Sequence, residues 1–455
     1  MTTDPRDTIA RSPMTAPQML VVGLTVALNA LDGFDVLSIS YASPGIAKEW
    51  GIDRAALGIV LSMELIGMAI GSALLGGVAD RIGRRPTILG CLAVMATGMV
   101  MATTANGLAA LSTWRIVTGL GIGGMLAAIN AVATEFSNAR RRHLSVSLMS
   151  IGYPLGAVFG GIAAARLLVG HDWRTVFYFG AAVTATLIPI VFVFVPESVH
   201  WLVRKQPAGA LQRVNRSLTT IGYTTTDALP EIPADARGRA FADVFAARQI
   251  SGTVIVTLAY FLHITTFYFI VKWVPKIVVD LGFAASSAAG VLVWTNVGGA
   301  IGGAVLGLLT QKYSVKTLTI VVLLASTAAV TAFGQTPADL QRLSIICGLC
   351  GFAINAGIVG LYAIIAQVFP THIRASGTGF TIGVGRGGSV FAPIIAGFLF
   401  AAGYGLPTVA LLLGLGSLFA AGVLLLLKLE TDQPAAERPG HRVVATQIPA
   451  PGHAR

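Results

Sequence analysis

Gly76-Gly77-Val78-Ala79-Asp80-Arg81-Ile82-Gly83-Arg84-Arg85 is the stretch that decides the fold. Its charged residues stand between two apolar runs, 55–77 and 87–105. Each run is about as long as a bilayer-crossing helix, which needs roughly 20 residues. Gly83 permits a tight turn between the runs, and Arg81, Arg84 and Arg85 anchor that turn at one membrane surface. A weaker copy, Gly307-Leu308-Leu309-Thr310-Gln311-Lys312-Tyr313-Ser314-Val315-Lys316, begins 231 residues later. Arg142 and Arg374 also correspond, displaced by 232. Two independent pairs with nearly the same displacement imply an internal duplication.

Reading outward gives twelve apolar segments, at 18–40, 55–77, 87–105, 109–134, 145–168, 175–195, 249–271, 286–309, 317–334, 340–368, 376–401 and 405–428. The longest polar interval, 196–248, divides them six and six. The expectation is an all-α membrane protein of two pseudo-symmetric six-helix halves, 18–195 and 249–428, with a polar tail (1–17), a central loop (196–248) and a second tail (429–455). The loop and second tail read as linker and disordered end. The polar opening, Met1 to Pro17, precedes a long apolar run with no cleavage pattern, so that run reads as a first span and not a leader. Duplicated halves of this kind are a plan of secondary transporters, with the substrate held between them near mid-membrane.

Composition agrees. Of 455 residues, 55% are hydrophobic and 11% charged, with mean hydropathy +0.77; a soluble domain carries about 25% charged residues. A soluble enzyme, a disordered chain and a disulfide-stapled module are excluded. The net charge of +11 reflects topology, not nucleic-acid binding. With a cytoplasmic amino terminus, 22 of the 31 Lys and Arg fall on the inner side and seven on the outer, Lys272 among the latter. That bias places both termini in the cytoplasm, the chain being a multi-pass protein of the cell (inner) membrane. Cys91, Cys347 and Cys350 all sit in apolar segments; Cys347 and Cys350 form a lone C-x-x-C that reads as packing. No metal, cofactor or catalytic set is expected, and the chain reads as a monomer.

The stretch from Gly76 to Arg85 resembles the G-x-x-x-D-R-x-G-R-R signature of the major facilitator superfamily. Leu111, Arg115, Thr118, Gly119, Gly121 and Gly123 resemble that superfamily's fourth-helix motif, with Thr118 where Gln is commoner. The first resemblance implies a conformational latch at Gly76, Asp80, Arg81, Gly83, Arg84 and Arg85, with Arg142 and Arg374 at the equivalent later turns. The competing reading is that these are topology charges alone. Ala30-Leu31-Asp32-Gly33-Phe34-Asp35, in the first span, closely resembles the first-helix signature of the aromatic acid:proton symporters, permeases for 4-hydroxybenzoate, protocatechuate and similar carboxylates.

That resemblance implies proton-coupled import of an aromatic carboxylate by alternating access. The residues support it on physical grounds. Carboxylates inside a span are costly and usually functional, and Asp32 and Asp35, three apart, share a helix face. Either can carry a proton; a structural pair is the alternative. Glu64 is a second candidate for titration or a partner for Arg115, which is itself either a coupling residue or one side of a structural ion pair. Arg386, amid Gly383, Gly385, Gly387 and Gly388, offers a two-pronged donor for a carboxylate. Phe34, Tyr153, Tyr260, Phe267, Tyr268, Trp294 and Tyr362 are candidate ring partners. Asn130, Asn296 and Asn355 are candidate hydrogen-bond partners for ring hydroxyls, or interhelical ties. His263 is a candidate site residue or a satisfied core histidine. The fifth span, Gly152 to Gly161, lacks the Gly-Pro order of proton antiporters, which weighs against a drug exporter. A carrier of another organic anion and a non-transporting sensor of the same fold are the remaining alternatives.

Overall fold

The computed structural model describes residues 4–230, 242–246, 249–370 and 373–427. The expected tail 429–455 lies outside them, as does part of the central loop. Twelve described helices are long and apolar enough to cross a membrane. Preceded by a short α1 (Pro5–Arg11), the first six are α2 (Ala16–Trp50), α3 (Arg54–Ile82), α4 (Arg84–Thr103), α5 (Leu108–Glu135), α6 (Arg142–Leu167) and α7 (Arg174–Phe194). Two short helices, α8 (Val199–Lys205) and α9 (Ala210–Thr220), lead to the second six. These are α10 (Ile250–Asp280), α11 (Ala285–Leu309), α12 (Val315–Gln335), α13 (Leu340–Val368), α14 (Arg374–Ala401) and α15 (Leu406–Leu425).

Helix boundaries follow local chemistry. Thr15 caps α2 in a reciprocal capping box with Gln18, and the Asp53 and Asp339 side chains cap α3 and α13. Gly83 joins α3 to α4 at φ +112°, and a Cβ there would meet Glu197 Oε2 at 2.2 Å. No other residue type fits that turn without displacing the Glu197 side chain.

The duplication is visible in the packing. Where helices approach most closely, a glycine faces a backbone carbonyl, as in membrane helix pairs generally. A Cβ at Gly67 would meet Ile116 O at 2.2 Å, and at Gly298 it would meet Gly348 O at 2.0 Å. Gly71 on Leu120 O (2.2 Å) is repeated by Gly302 on Phe352 O (2.1 Å), Gly119 on Glu64 O (2.1 Å) by Gly351 on Thr295 O (1.8 Å), and Gly156 on Ala30 O (1.7 Å) by Gly388 on Phe261 O (2.3 Å). Each repeat lies 231 or 232 residues beyond its mate, the displacement read from the two turn motifs. At these helix pairs the halves correspond in register. Asp32 corresponds to His263, Asp35 to Thr266, Glu64 to Thr295, Arg115 to Cys347 and Arg386 to Pro154. The counterparts of Asp32, Asp35 and Glu64 in the carboxyl-terminal half are not acids.

The halves meet through α3 with α14, α6 with α11 and α2 with α10. Two polar ties between them lie toward the face opposite the arginine-rich turns. Arg54 pairs with Asp280 at 3.0 Å, and Ser62 Oγ donates to Val390 O at 2.7 Å. Gly58 and Gly397 let α3 and α14 touch at the same level.

Two expectations need correction. The central loop is not a bare linker: α8 and α9 bury Trp201, Leu202, Val203, Val214 and Leu218 against the amino-terminal half. The leading tail likewise forms α1, which buries Ile9. The seventh span does not stop at 271. It runs to Asp280 and carries Lys272, expected outside the membrane, into its fully buried interior.

Candidate functional site: a buried charge cluster between the halves

Three acids and three cations meet where the halves join. Asp32 and Asp35 lie on α2, both buried, at 2% and 0% exposure, and none of their four carboxylate oxygens has a hydrogen-bond partner among the described residues. Asp35 faces Gly180 of α7, where an added Cβ would lie 3.2 Å from Oδ1. Glu64 on α3 pairs with Arg115 of α5 at 2.5 Å and with Lys272 of α10 at 3.5 Å, all three fully buried. Arg115 also donates to Asp35 O at 3.1 Å and lies over the Phe177 ring, 5.1 Å from its centroid. Lys272 donates to Val36 O. Arg386, half-buried on α14, donates to Ser72 Oγ at 2.7 Å and lies within electrostatic range of Asp32. A buried charge is tolerable only when it is paired or hydrogen-bonded; among the described residues Asp32 and Asp35 have no such partner.

The aromatic and amide candidates separate into groups. Tyr153, Phe267, Asn296 and Asn355 line one cavity between the halves, together with Pro154, Thr295 and Ile354. Asn296 donates to Leu292 O at 2.8 Å and Asn355 to Gly299 O at 2.6 Å. Tyr260 and Tyr362 stack with centroids 5.7 Å apart, their hydroxyls 3.2 Å from each other. Tyr362 and Asn130 are exposed, whereas Tyr268 packs edge-on against Phe267. Trp294 is 56% exposed.

Two candidates make their contacts within their own half. Phe34 is wedged against Gly160 and Gly180 and edge-on to Phe179, all within the amino-terminal half. His263 is fully buried and satisfied. Nε2 donates to Ile354 O at 2.8 Å, so Nδ1 accepts from Ser417 Oγ at 2.8 Å. His263 stands on α10 at the position that corresponds to Asp32 on α2.

The candidate latch is a tight ionic knot. Arg84 donates to Asp80 Oδ1 at 2.8 Å, to Glu135 Oε1 at 2.9 Å and to Ala79 O at 2.8 Å. Glu197 Oε1 accepts from the backbone N–H of Arg84 at 2.8 Å and of Ser198 at 2.9 Å. Burial pushes the Glu197 carboxyl above its usual range, against the pull of those N–H groups. Trp201 Nε1 donates to Asp80 O at 3.0 Å. These ties bind α3, α4, α5 and the α7–α8 corner within one half. Arg85 donates to Phe192 O at 2.5 Å and lies over its ring. Gly76 lies on α3, Arg81 is exposed at its end, and Arg142 opens α6. Arg374 is exposed and donates to Phe369 O at 3.2 Å.

Sequence reasoning missed Lys272, Glu135 and Glu197. The signal for Lys272 was present: apolar residues continue past it through Trp273, Val274, Ile277 and Val278, too far for a helix ending at 271. Glu135 and Glu197 were legible as acids ending the fourth and sixth spans, on the face where the arginines cluster.

The sequence matches the Major Facilitator Superfamily over residues 25–355 and again over 256–451, two overlapping matches as a duplicated chain produces. The chain belongs to the major facilitator superfamily. This superfamily member is 28% identical over 424 residues to a gallate transporter of Pseudomonas putida, covering 92% of this chain and 93% of that one. It is 28% identical to a 4-hydroxybenzoate transporter of the same organism (85% and 87% covered) and 26% identical to a benzoate transport protein of Acinetobacter baylyi (85% and 84%). Among solved structures it resembles a D-xylose–proton symporter, TM-score 0.72 at 18% identity, covering 90% of this chain and 98% of that one. The protein is a multi-pass membrane transporter and not an enzyme.

Proposed function

We propose that the protein imports an aromatic carboxylate of the benzoate or hydroxybenzoate class together with a proton, by alternating access. The observation that carries this reading is the state of Asp32 and Asp35: two buried carboxyl groups without hydrogen-bond partners among the described residues, beside a cluster that also holds Arg386. With every group ionised, three acids and three cations balance. An arriving carboxylate adds one negative charge to a low-dielectric site, where an unpaired charge is costly. A proton taken by Asp32 or Asp35 restores the balance, so cargo and proton enter most cheaply together. The names of the relatives support the cargo class.

In this reading Arg386 takes the cargo carboxylate through its planar fork. The ring lies against Tyr153 and Phe267, and Asn296 and Asn355 meet ring hydroxyls. The arginine-rich face is cytoplasmic by its charge, which puts both termini inside and the chain in the inner membrane. The conformer is then sealed toward the outside by the Arg54–Asp280 level, with Asn130 and Tyr362 exposed on the inner side. One chain supplies every residue named. The test is uptake of radiolabelled 4-hydroxybenzoate by proteoliposomes. External acidification should drive accumulation above the level in protein-free vesicles, and equal uptake by the two would contradict the proposal.

A further inference from the structure

Of the two cations ion-paired with Glu64 among the described residues, Lys272 comes from the carboxyl-terminal half and Arg115 from the amino-terminal half. The Lys272 side chain crosses the boundary between the halves and ends among groups of the other half, the Glu64 carboxylate (3.5 Å) and Val36 O. The charged groups facing it are Glu64 and Arg115. Arg115 stays with Glu64 whatever the halves do, since α3 and α5 are clamped by the Gly67, Gly71 and Gly119 contacts. Lys272 has no such constraint: separation of α10 from α2 and α3 removes it from both acceptors. The tie lies inward of the Arg54–Asp280 pair, so the outer closure has two ionic levels. The outer one is exposed and therefore weak. The inner one is dry, and breaking it would leave a buried ammonium without a partner.

We propose that Lys272 is the outer gate of the carrier, holding the outward side shut through its cross-boundary tie to Glu64 and Val36 and releasing it when that tie breaks. The inference takes alternating access from the reading above but not its cargo. The glycine contacts between α3 and α5 keep Arg115 with Glu64, whereas Lys272 reaches across the boundary between the halves.

The test is distance measurement by pulsed electron spin resonance on the full chain in lipid nanodiscs without substrate. One label pair, Lys48→Cys with Tyr404→Cys, spans the outer ends of the two halves at exposed positions. A second, Arg140→Cys with Tyr313→Cys, spans the arginine-rich face, also at exposed positions. The native cysteines are buried. In the Lys272→Met background the long-distance population of the outer pair should at least double while the inner pair shortens. Glu64→Gln, which keeps Lys272 and removes its partner, should do the same, and combining the two should add nothing. Outer distances unchanged from the parent overturn the proposal, and so does broadening of both pairs alike, which is the mark of general loosening. Because no cargo is present, failure of the cargo assignment would leave this result unaffected.

Discussion

Arg386 on the carboxyl-terminal half donates from Nη1 to the Ser72 hydroxyl on the amino-terminal half at 2.7 Å. The guanidinium therefore bridges the two halves while half-buried, with N–H groups left for an incoming anion. Glycines at 385, 387 and 388 keep α14 close to α10, where Tyr260 and Phe261 pack on it. A neutral hydroxyl is a weak competitor for a carboxylate, so cargo can displace Ser72.

Arg386→Lys keeps the charge and loses the fork. A charge-assisted hydrogen bond contributes about 1.5–3 kcal/mol, so apparent affinity for 4-hydroxybenzoate should fall about tenfold or more in proteoliposome uptake. Ser72→Ala should leave affinity within about threefold, since it removes a competitor and not a ligand contact. Equal uptake by Arg386→Lys and the parent would remove Arg386 from the binding site.

Asp32→Asn and Asp35→Asn separate loading from coupling. The residue that carries the proton should lose accumulation driven by a pH gradient while keeping exchange of labelled for unlabelled substrate at equal pH. Parent-level accumulation in both variants would show that neither carboxyl group moves the proton.

The Arg84 knot predicts a stability defect. Removing one partner from a buried ion pair costs about 3–5 kcal/mol, and the partial exposure of Glu135, 16%, reduces that. Glu135→Ala should cost about 2 kcal/mol and lower the melting temperature in detergent. Arg81→Ala, exposed at the same turn, should leave it nearly unchanged.

Gly156→Ala would drive a Cβ to 1.7 Å from Ala30 O, where only separation of α2 and α6 gives room. Overpacking costs about 1–3 kcal/mol, so melting should again drop. Gly90→Ala has nothing within 4 Å and should not matter. A normal melting point for Gly156→Ala would contradict the close approach of these helices.

The spans and the duplication were legible because both rest on runs of apolar residues and on spacing, which a linear sequence displays. The helix ends were less so. Lys272 looked like the end of a span because a lone charge normally marks water, and only its tertiary partners, Glu64 and Val36, make burial tolerable. The helices α8 and α9 were hidden by their length: Trp201, Leu202 and Val214 bury a narrow face that polar neighbours mask. Phe34 and His263 show the other limit. Their residue types suited the site, but which face each presents was decided by Gly160, Phe179 and Ser417, distant in sequence. Asp32 and Asp35 stood out because carboxylates in a span have no bland composition to hide in.

The most direct measurement follows protons and cargo at once. Proteoliposomes loaded with a pH-sensitive dye and held at equal pH inside and out receive labelled 4-hydroxybenzoate, with protein-free vesicles subtracted. The account predicts internal acidification in step with uptake, abolished in the Asp32→Asn/Asp35→Asn double variant. Uptake without proton entry, or unchanged acidification in that variant, would contradict it.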